Sequence, residues 1–313
     1  DTLLPASVRR EVVDAPQGAG DGPSPKDLLG DRQAFAADFM RREDLQRVAR
    51  PRDDAAAARG PAFFSKEFFE AQMEVVVEEK VPVYAAGLGN PGPWMDRLRK
   101  NGTKIMAVIG SVKHALQVAA FGIDVIVAQG HDGGGHNSPI GTMALIPQVV
   151  DAVKIPAIAA GSIVDGRGIA AAFALGAQGV WMGTRFIASA EAHAAQMYKD
   201  VIMEASDEDT IVTRCYSGKT MRVFRNPYVM DWEKRPQDLQ PFPAQAAFSH
   251  KAGVMGGIGG QMEGLDKSRS CFAMGQGAGA IVDAPPAGEI VRRIVAETEQ
   301  VLGRIGRLAK EMR

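Results

Sequence analysis

The chain lacks most of the features that would place it outside ordinary globular proteins. It has only two cysteines in 313 residues, Cys215 and Cys271, far apart and without metal-ligand spacing. A core of this size needs no disulfide to hold it, and two isolated thiols fit a reducing compartment. No charge of one sign dominates: 36 Lys and Arg face 37 Asp and Glu, a net charge of −1, so no basic face advertises nucleic acid. No long hydrophobic run is present. The most apolar stretch, residues 168–183, is rich in Gly and Ala and too short to span a membrane. The sequence opens on "DTLLPAS" with no initiator Met, which leaves a leader open, and a cytoplasmic location is the working expectation.

What is present is a soluble composition, 46% apolar and 23% charged, long enough for one large domain or two ordinary ones. Residues 2–4 read as the tail of a strand closed by Pro5. Residues 9–60 are Pro/Gly-rich and then charged, an inserted and partly helical excursion. From Phe63 a rhythm sets in. "FFSKEFFEAQMEVVVEEK" is a helix with Ser65 as N-cap and a Phe64/Phe69 staple. Short apolar strands ("VPVYAAG", "KIMAVI", "DVIVAQG", "IPAIAAG", "GVWMGT") then alternate with amphipathic helices. Gly102 and Gly122 act as helix stops, and Ser111 caps the helix that follows "KIMAVI". "DGRGIAAAFALG" is a helix whose alanines require close packing. Residues 210–284 are loop-rich, and residues 289–312 return as a long helix with Ile290, Val291, Ile294, Val301, Leu302, Ile305 and Leu308 on one face.

This alternation predicts a parallel sheet covered by helices, with strands apolar on both faces. Six strands are countable, whereas a (β/α)₈ barrel has eight. The expectation is therefore an α/β TIM (β/α)₈ barrel, N-terminally truncated by its first two βα units, with a smaller loop- and helix-rich second domain. An open doubly wound sheet, which needs no missing piece, is the alternative. The expected domains are 1–209 for the barrel, including the 9–60 excursion, 210–285 for the smaller lid or substrate domain, and 286–313 for a helix packing back on the barrel.

In parallel α/β folds chemistry gathers at the C-terminal ends of the strands. Three strand ends carry unusual loops: "AQGHDGGGH", "AAGSIVDGRG" and "MGTRF". Gly161 with Ser162, and Gly183 with Thr184, sit on consecutive strand ends, where free backbone N–H groups form an anion cradle. Tight-turn glycines are the plainer reading of either loop alone. In the first loop, Gly133, Gly134 and Gly135 let backbone approach a flat ligand, and His136 projects over it. An imidazole titrates near ~6.5 and handles protons near neutral pH. His131 is read instead as a loop residue without a partner, and a zinc pair with His136 lacks a third ligand, so no metal is expected. "GLGNPG" (residues 87–92) mimics a dinucleotide loop, but prolines crowd the turn and the acid ~20 residues on is missing. "GLDKS" fails as a phosphate loop because Asp266 stands where Gly is needed.

These loops closely resemble signatures of the nitronate monooxygenase family, formerly 2-nitropropane dioxygenases, which includes related FMN-dependent enoyl-ACP reductases. "AQGHDGGGH", "IAAGSIVDGRG" and "WMGTRF" are similar in order and spacing to "AQGxEAGGH", "IAAGGIxDGRG" and "QMGTRF". "GLGNP" and the "GQG" of Gly275–Gly277 also look like family pieces. The resemblance implies FMN as cofactor. It implies flavin contacts from Gln129 and Gly134, phosphate contacts from Gly161, Ser162, Trp181, Met182, Gly183 and Thr184, and His136 as the catalytic histidine. Asp1 falls where the family has an FMN-contacting Asn. Ser162 stands for a Gly, Trp181 for a Gln, and Asp132 with Gly133 for Glu-Ala. The implied activity is oxidation of alkyl nitronates by dioxygen. The alternatives are an NAD(P)H-dependent reductase of an enoyl or acyl thioester, and a non-catalytic phosphate-binding barrel. The expected partner is a small-molecule substrate, with no nucleic acid and no membrane.

Overall fold

The computed structural model describes residues 66–87, 92–257 and 262–312. The expectations for Asp1, strand 2–4, the 9–60 excursion, the Ser65 cap and the centre of "GLGNPG" lie outside the described residues.

From Lys66 onward, helices and short strands alternate as the sequence rhythm predicts. In chain order come α1 (Lys66–Glu78), β1 (Val83–Ala86), α2 (Met95–Lys100), β2 (Lys104–Ile109), α3 (Val112–Ala120) and β3 (Val125–Gln129). After a two-residue strand β4 (Gly135–His136) follow α4 (Thr142–Ala152), β5 (Ala157–Ala160), α5 (Gly166–Ala174), β6 (Gly179–Trp181), α6 (Thr184–Ile187) and α7 (Gln196–Glu204). The punctuation is the expected chemistry. Ser111 Oγ accepts from the His114 N–H, and Gly102 and Gly122 stop their helices at φ +78° and +77°, where a side chain is disfavoured.

β1, β2, β3, β5 and β6 form one parallel sheet in that order. The order follows the chain without a reversal. A doubly wound sheet turns back at a switch point. Ile105, Ala107, Ile109, Ile126, Ala128, Ala157 and Ala159 are buried against a helix layer that supplies Leu98, Ala115, Leu145, Ile146 and Val149. One-sheet registry therefore sets the C-terminal ends of β3, β5 and β6 side by side.

Residues 210–284 hold more regular structure than their loop-rich sequence predicts. β7 (Thr210–Thr213) and β8 (Met221–Phe224) pair antiparallel, and β8 also pairs with β4, so His136 lies opposite Met221. α8 (Pro227–Glu233) and α9 (Ala244–Lys251) follow. Four-residue strands set no periodicity that a sequence window can register. Their core gathers Cys215, Tyr216, Met221, Val223, Tyr228, Val229, Trp232 and Cys271. Both cysteines are free and buried, and burial pushes both thiols well above their ordinary pKa, so they act as small apolar residues.

The last helix, α10 (Ala287–Glu311), exists as predicted but buries a shorter stripe. Ile290, Ile294 and Thr298 are covered, while Leu302, Ile305 and Leu308 are 43%, 46% and 51% exposed. Its partner α5 is nine residues long, and the first of them, Gly166, already meets Thr298. No helix among the described residues is long and apolar enough to cross a membrane.

Candidate active site

A cavity of about 460 Å³ opens at the C-terminal ends of β3, β5 and β6. Gln129 ends β3, Gly161 and Ser162 follow β5, and Trp181 to Thr184 end β6 and begin α6. Gly133 to Gly135 and Gly275 to Ala278 close the remaining sides. Eight residues singled out from sequence line this one cavity: Gln129, Gly134, Gly161, Ser162, Trp181, Met182, Gly183 and Thr184. His136 is one residue beyond the lining residue Gly135 and does not itself form the wall. Asp1 lies outside the described residues. His193, Tyr198 and Ala273 also contribute to the wall, and no local sequence signal marks them.

The cradle has a donor set suited to an anion. Among the described residues, the backbone N–H groups of Gly161, Ser162, Gly183 and Thr184 donate no hydrogen bond within the chain. Gly161 needs its glycine: φ is +115°, and a Cβ there would stand 2.4 Å from Thr142 Oγ1. At Gly183 an added Cβ would meet nothing within 4 Å, so that backbone borders open space.

The triple glycine has a different cause at each position. A Cβ on Gly134 would come within 2.6 Å of the Met274 carbonyl carbon, so this glycine admits the 274–277 backbone rather than a ligand alone. Gly135 adopts φ +75°, which turns the chain into β4. On Gly133 a Cβ would press on the Gln129 side chain at 3.1 Å.

Hydrogen bonds lock this loop in place. Asp132 Oδ2 accepts from the Thr142 N–H at 2.7 Å, and its carbonyl accepts from Ser162 Oγ at 2.7 Å and the Gln276 N–H at 2.9 Å. Ser162 Oγ in turn accepts from the Gly277 N–H at 3.0 Å. Ser162 adopts φ +52°, a strained conformation for serine that these two bonds offset. His131 departs from the expectation that it has no partner. Its Nδ1 lies 2.9 Å from the Ser138 carbonyl, and its own carbonyl accepts from Asn137 Nδ2 and Arg222 Nε. A loop rich in glycine looks mobile in sequence, but this one is tied to three other segments. Arg185 of "MGTRF" is buried and donates to Asp283 Oδ1 at 3.1 Å and the Ala188 carbonyl at 2.7 Å, joining the β6 end to the approach to α10.

His136 is held at both ends. Gln129 Nε2 donates to its carbonyl at 2.9 Å, and its ring Nε2 lies 2.8 Å from Ser217 Oγ. Burial of the ring, and secondarily the charge of Lys219, lower its pKa below the ordinary histidine value. The end of the ring at Ser217 is enclosed while the residue keeps an exposed face. The imidazole is therefore predominantly neutral at pH 7, the form that accepts a proton.

Strand-end glycines on a parallel α/β fold thus line one cavity of cofactor-site size, with His136 next to its wall. Residues 10–297 match the nitronate monooxygenase family model, and the chain belongs to that family, an oxidoreductase. A relative from Mycobacterium tuberculosis that carries a monooxygenase name is 31% identical over 311 residues, 97% of this chain and 81% of that one. A Staphylococcus aureus relative with a nitronate monooxygenase name is 36% identical over 188 residues, 56% of this chain and 53% of that one, so the match spans about half that relative's length. Among solved structures, FabK from Thermotoga maritima is 36% identical with a TM-score of 0.70, covering 79% of this chain and 76% of that one. A nitroalkane oxidase from Streptomyces ansochromogenes is 27% identical with a TM-score of 0.66, covering 76% of this chain and 70% of that one.

Proposed function

We propose that this chain binds FMN in the strand-end cavity and oxidises alkyl nitronates with dioxygen to a carbonyl compound and nitrite. The observation that carries the reading is that Gly161, Ser162, Gly183 and Thr184 line one cavity and their backbone N–H groups donate no hydrogen bond among the described residues. The cavity volume lies within the range for small-molecule and cofactor sites. The open space beside Gly183 leaves room for a phosphate against backbone.

In this reading the four N–H groups hold the phosphate, with Trp181 and Met182 as adjoining wall. Gln129 and Gly134 border the flavin ring. FMN, when bound, supplies the redox chemistry. His136 orients the nitro group or exchanges a proton with the substrate, and its lowered pKa keeps it ready as a base at neutral pH. The five parallel strands form part of a (β/α)₈ barrel, and residues 210–285 form the smaller unit that shapes the substrate side.

The higher identity to FabK than to the nitroalkane oxidase supports a second reading: a reductase of an enoyl or acyl thioester using NAD(P)H. The two separate in one experiment. The purified protein is loaded with FMN, and its visible spectrum is followed anaerobically. Bleaching by an alkyl nitronate alone supports the first reading. Bleaching by NADPH, with nitronate inert, replaces it with the second. No flavin uptake at all overturns both.

A further inference from the structure

Ser217 lies 81 residues from His136, between β7 and β8, and is 2% exposed. Its Oγ has three polar neighbours. His136 Nε2 is at 2.8 Å, the Lys219 N–H at 3.3 Å and the Lys219 carbonyl at 3.2 Å. A hydroxyl donates one hydrogen bond and accepts two. The Lys219 N–H can only donate, so it takes one lone pair of Oγ. The Lys219 carbonyl can only accept, so it takes the hydroxyl proton. One lone pair then remains for His136 Nε2, and that nitrogen must carry the hydrogen.

We infer that Ser217 is a positioning residue that holds neutral His136 as its Nε2–H tautomer, leaving Nδ1 as the basic nitrogen. The reverse assignment, with Ser217 donating to Nε2, takes the proton away from the Lys219 carbonyl and satisfies one group fewer. Nδ1 has no hydrogen bond within the described residues. Lys219, whose ammonium sits 4.5 Å over the Phe242 ring, is the charged side chain that bears on the imidazole and disfavours its cationic form.

The arrangement suits repeated proton transfer. When Nδ1 takes a proton, the bond from that proton to the substrate breaks and its electron pair stays on the substrate. The new N–H forms at Nδ1, and Nε2–H continues to donate to Ser217. Neither the ring nor the hydroxyl needs to turn, so the base is preorganised in both protonation states. This assignment rests on His136 handling a proton, as proposed above.

The test is a long-range ¹⁵N–¹H spectrum of the full chain with ¹⁵N-labelled histidine and no substrate. Signals of His136 are identified by their loss in His136→Gln. The expected result is a protonated Nε2 and a bare Nδ1. In Ser217→Ala the Nδ1–H tautomer becomes populated, and Ser217→Thr, which keeps a hydroxyl, restores the original form. With flavin bound, Ser217→Ala lowers kcat roughly tenfold or more while KM moves little, a part of the 10²–10⁴ that general acid–base catalysis contributes. A wild-type His136 in the Nδ1–H form, or as an even mixture, overturns the assignment whatever the variants do. An unchanged tautomer in folded Ser217→Ala overturns it equally. The expected tautomer in an enzyme whose His136→Ala variant stays fully active upholds the assignment and refutes the proton-transfer role of His136.

Discussion

At the scale of single residues, His136 and Ser162 show how far local chemistry can be read. Three glycines before a histidine at a strand end pointed to a loop whose glycines line the cavity, but not to why each glycine is there. The close approach of Met274 to Gly134 comes from a segment 140 residues away in sequence, which no local pattern encodes. For His136 the lowered pKa has a stated sign. A base whose pKa is lowered from the ordinary histidine value is mostly in its proton-accepting form at neutral pH and is lost as acid protonates it. We expect kcat/KM to be flat through neutrality and to fall on the acid side, and His136→Ala to lose roughly 10²–10⁴ in kcat. Lys219→Met removes the second cause of the shift, so the acid limb should move to higher pH; an unmoved limb would remove Lys219 from the account. Ser162 offers a second test. Ser162→Ala keeps the left-handed strain and loses both bonds, to Asp132 and from Gly277. Ser162→Gly loses the same bonds but relieves roughly 1–2 kcal/mol of strain. Thermal unfolding should therefore rank Gly above Ala at this position, the reverse of their usual order.

At the scale of elements, the helices and parallel strands were legible because their apolar periodicity and caps are local. The β7–β8 pair was not, because its stability comes from packing around Tyr216 and Trp232 rather than from its own pattern. The alanine-rich α5 is the clearest link from sequence to packing. Its Gly166 faces the α10 backbone so closely that a Cβ would sit 2.4 Å from the Thr298 nitrogen and 2.8 Å from the Glu297 carbonyl carbon. Gly166→Ala must push the helices apart, and chemical denaturation should report a loss of about 1–3 kcal/mol. The same helix start carries a pH signature. Burial raises the Asp165 pKa, but hydrogen bonds from the Arg167 side chain and the Gly168 and Arg167 N–H groups outweigh it, so the net shift is downward. A carboxylate depressed in the folded state stabilises above its unfolded pKa and loses that contribution as pH falls through its folded value. Asp165→Asn should flatten the acid limb of stability without abolishing the cap, and Asp165→Ala should cost about 1 kcal/mol at neutral pH.

At the scale of the whole molecule, the cavity wall is assembled from segments near residues 130, 160, 183 and 275, which meet only in the folded chain. A ligand that spans them binds the folded state alone, so it must raise stability by mass action. At 100 times its dissociation constant, FMN should add about 2.7 kcal/mol to the unfolding free energy. Gly183 makes this test specific. Its φ is −97°, accessible to any residue, and a Cβ there meets no atom within 4 Å. Gly183→Val should therefore unfold within about 0.5 kcal/mol of the parent when no flavin is added. The new branched side chain occupies the space beside the Gly183 and Thr184 N–H groups, so the flavin-induced stabilisation should disappear. Thermal melts of both proteins, with and without FMN, decide the matter. If Gly183→Val keeps the full FMN shift, the phosphate is held elsewhere and the cradle reading fails, whereas loss of the shift in an otherwise normally folding protein ties flavin binding to the β6 strand end.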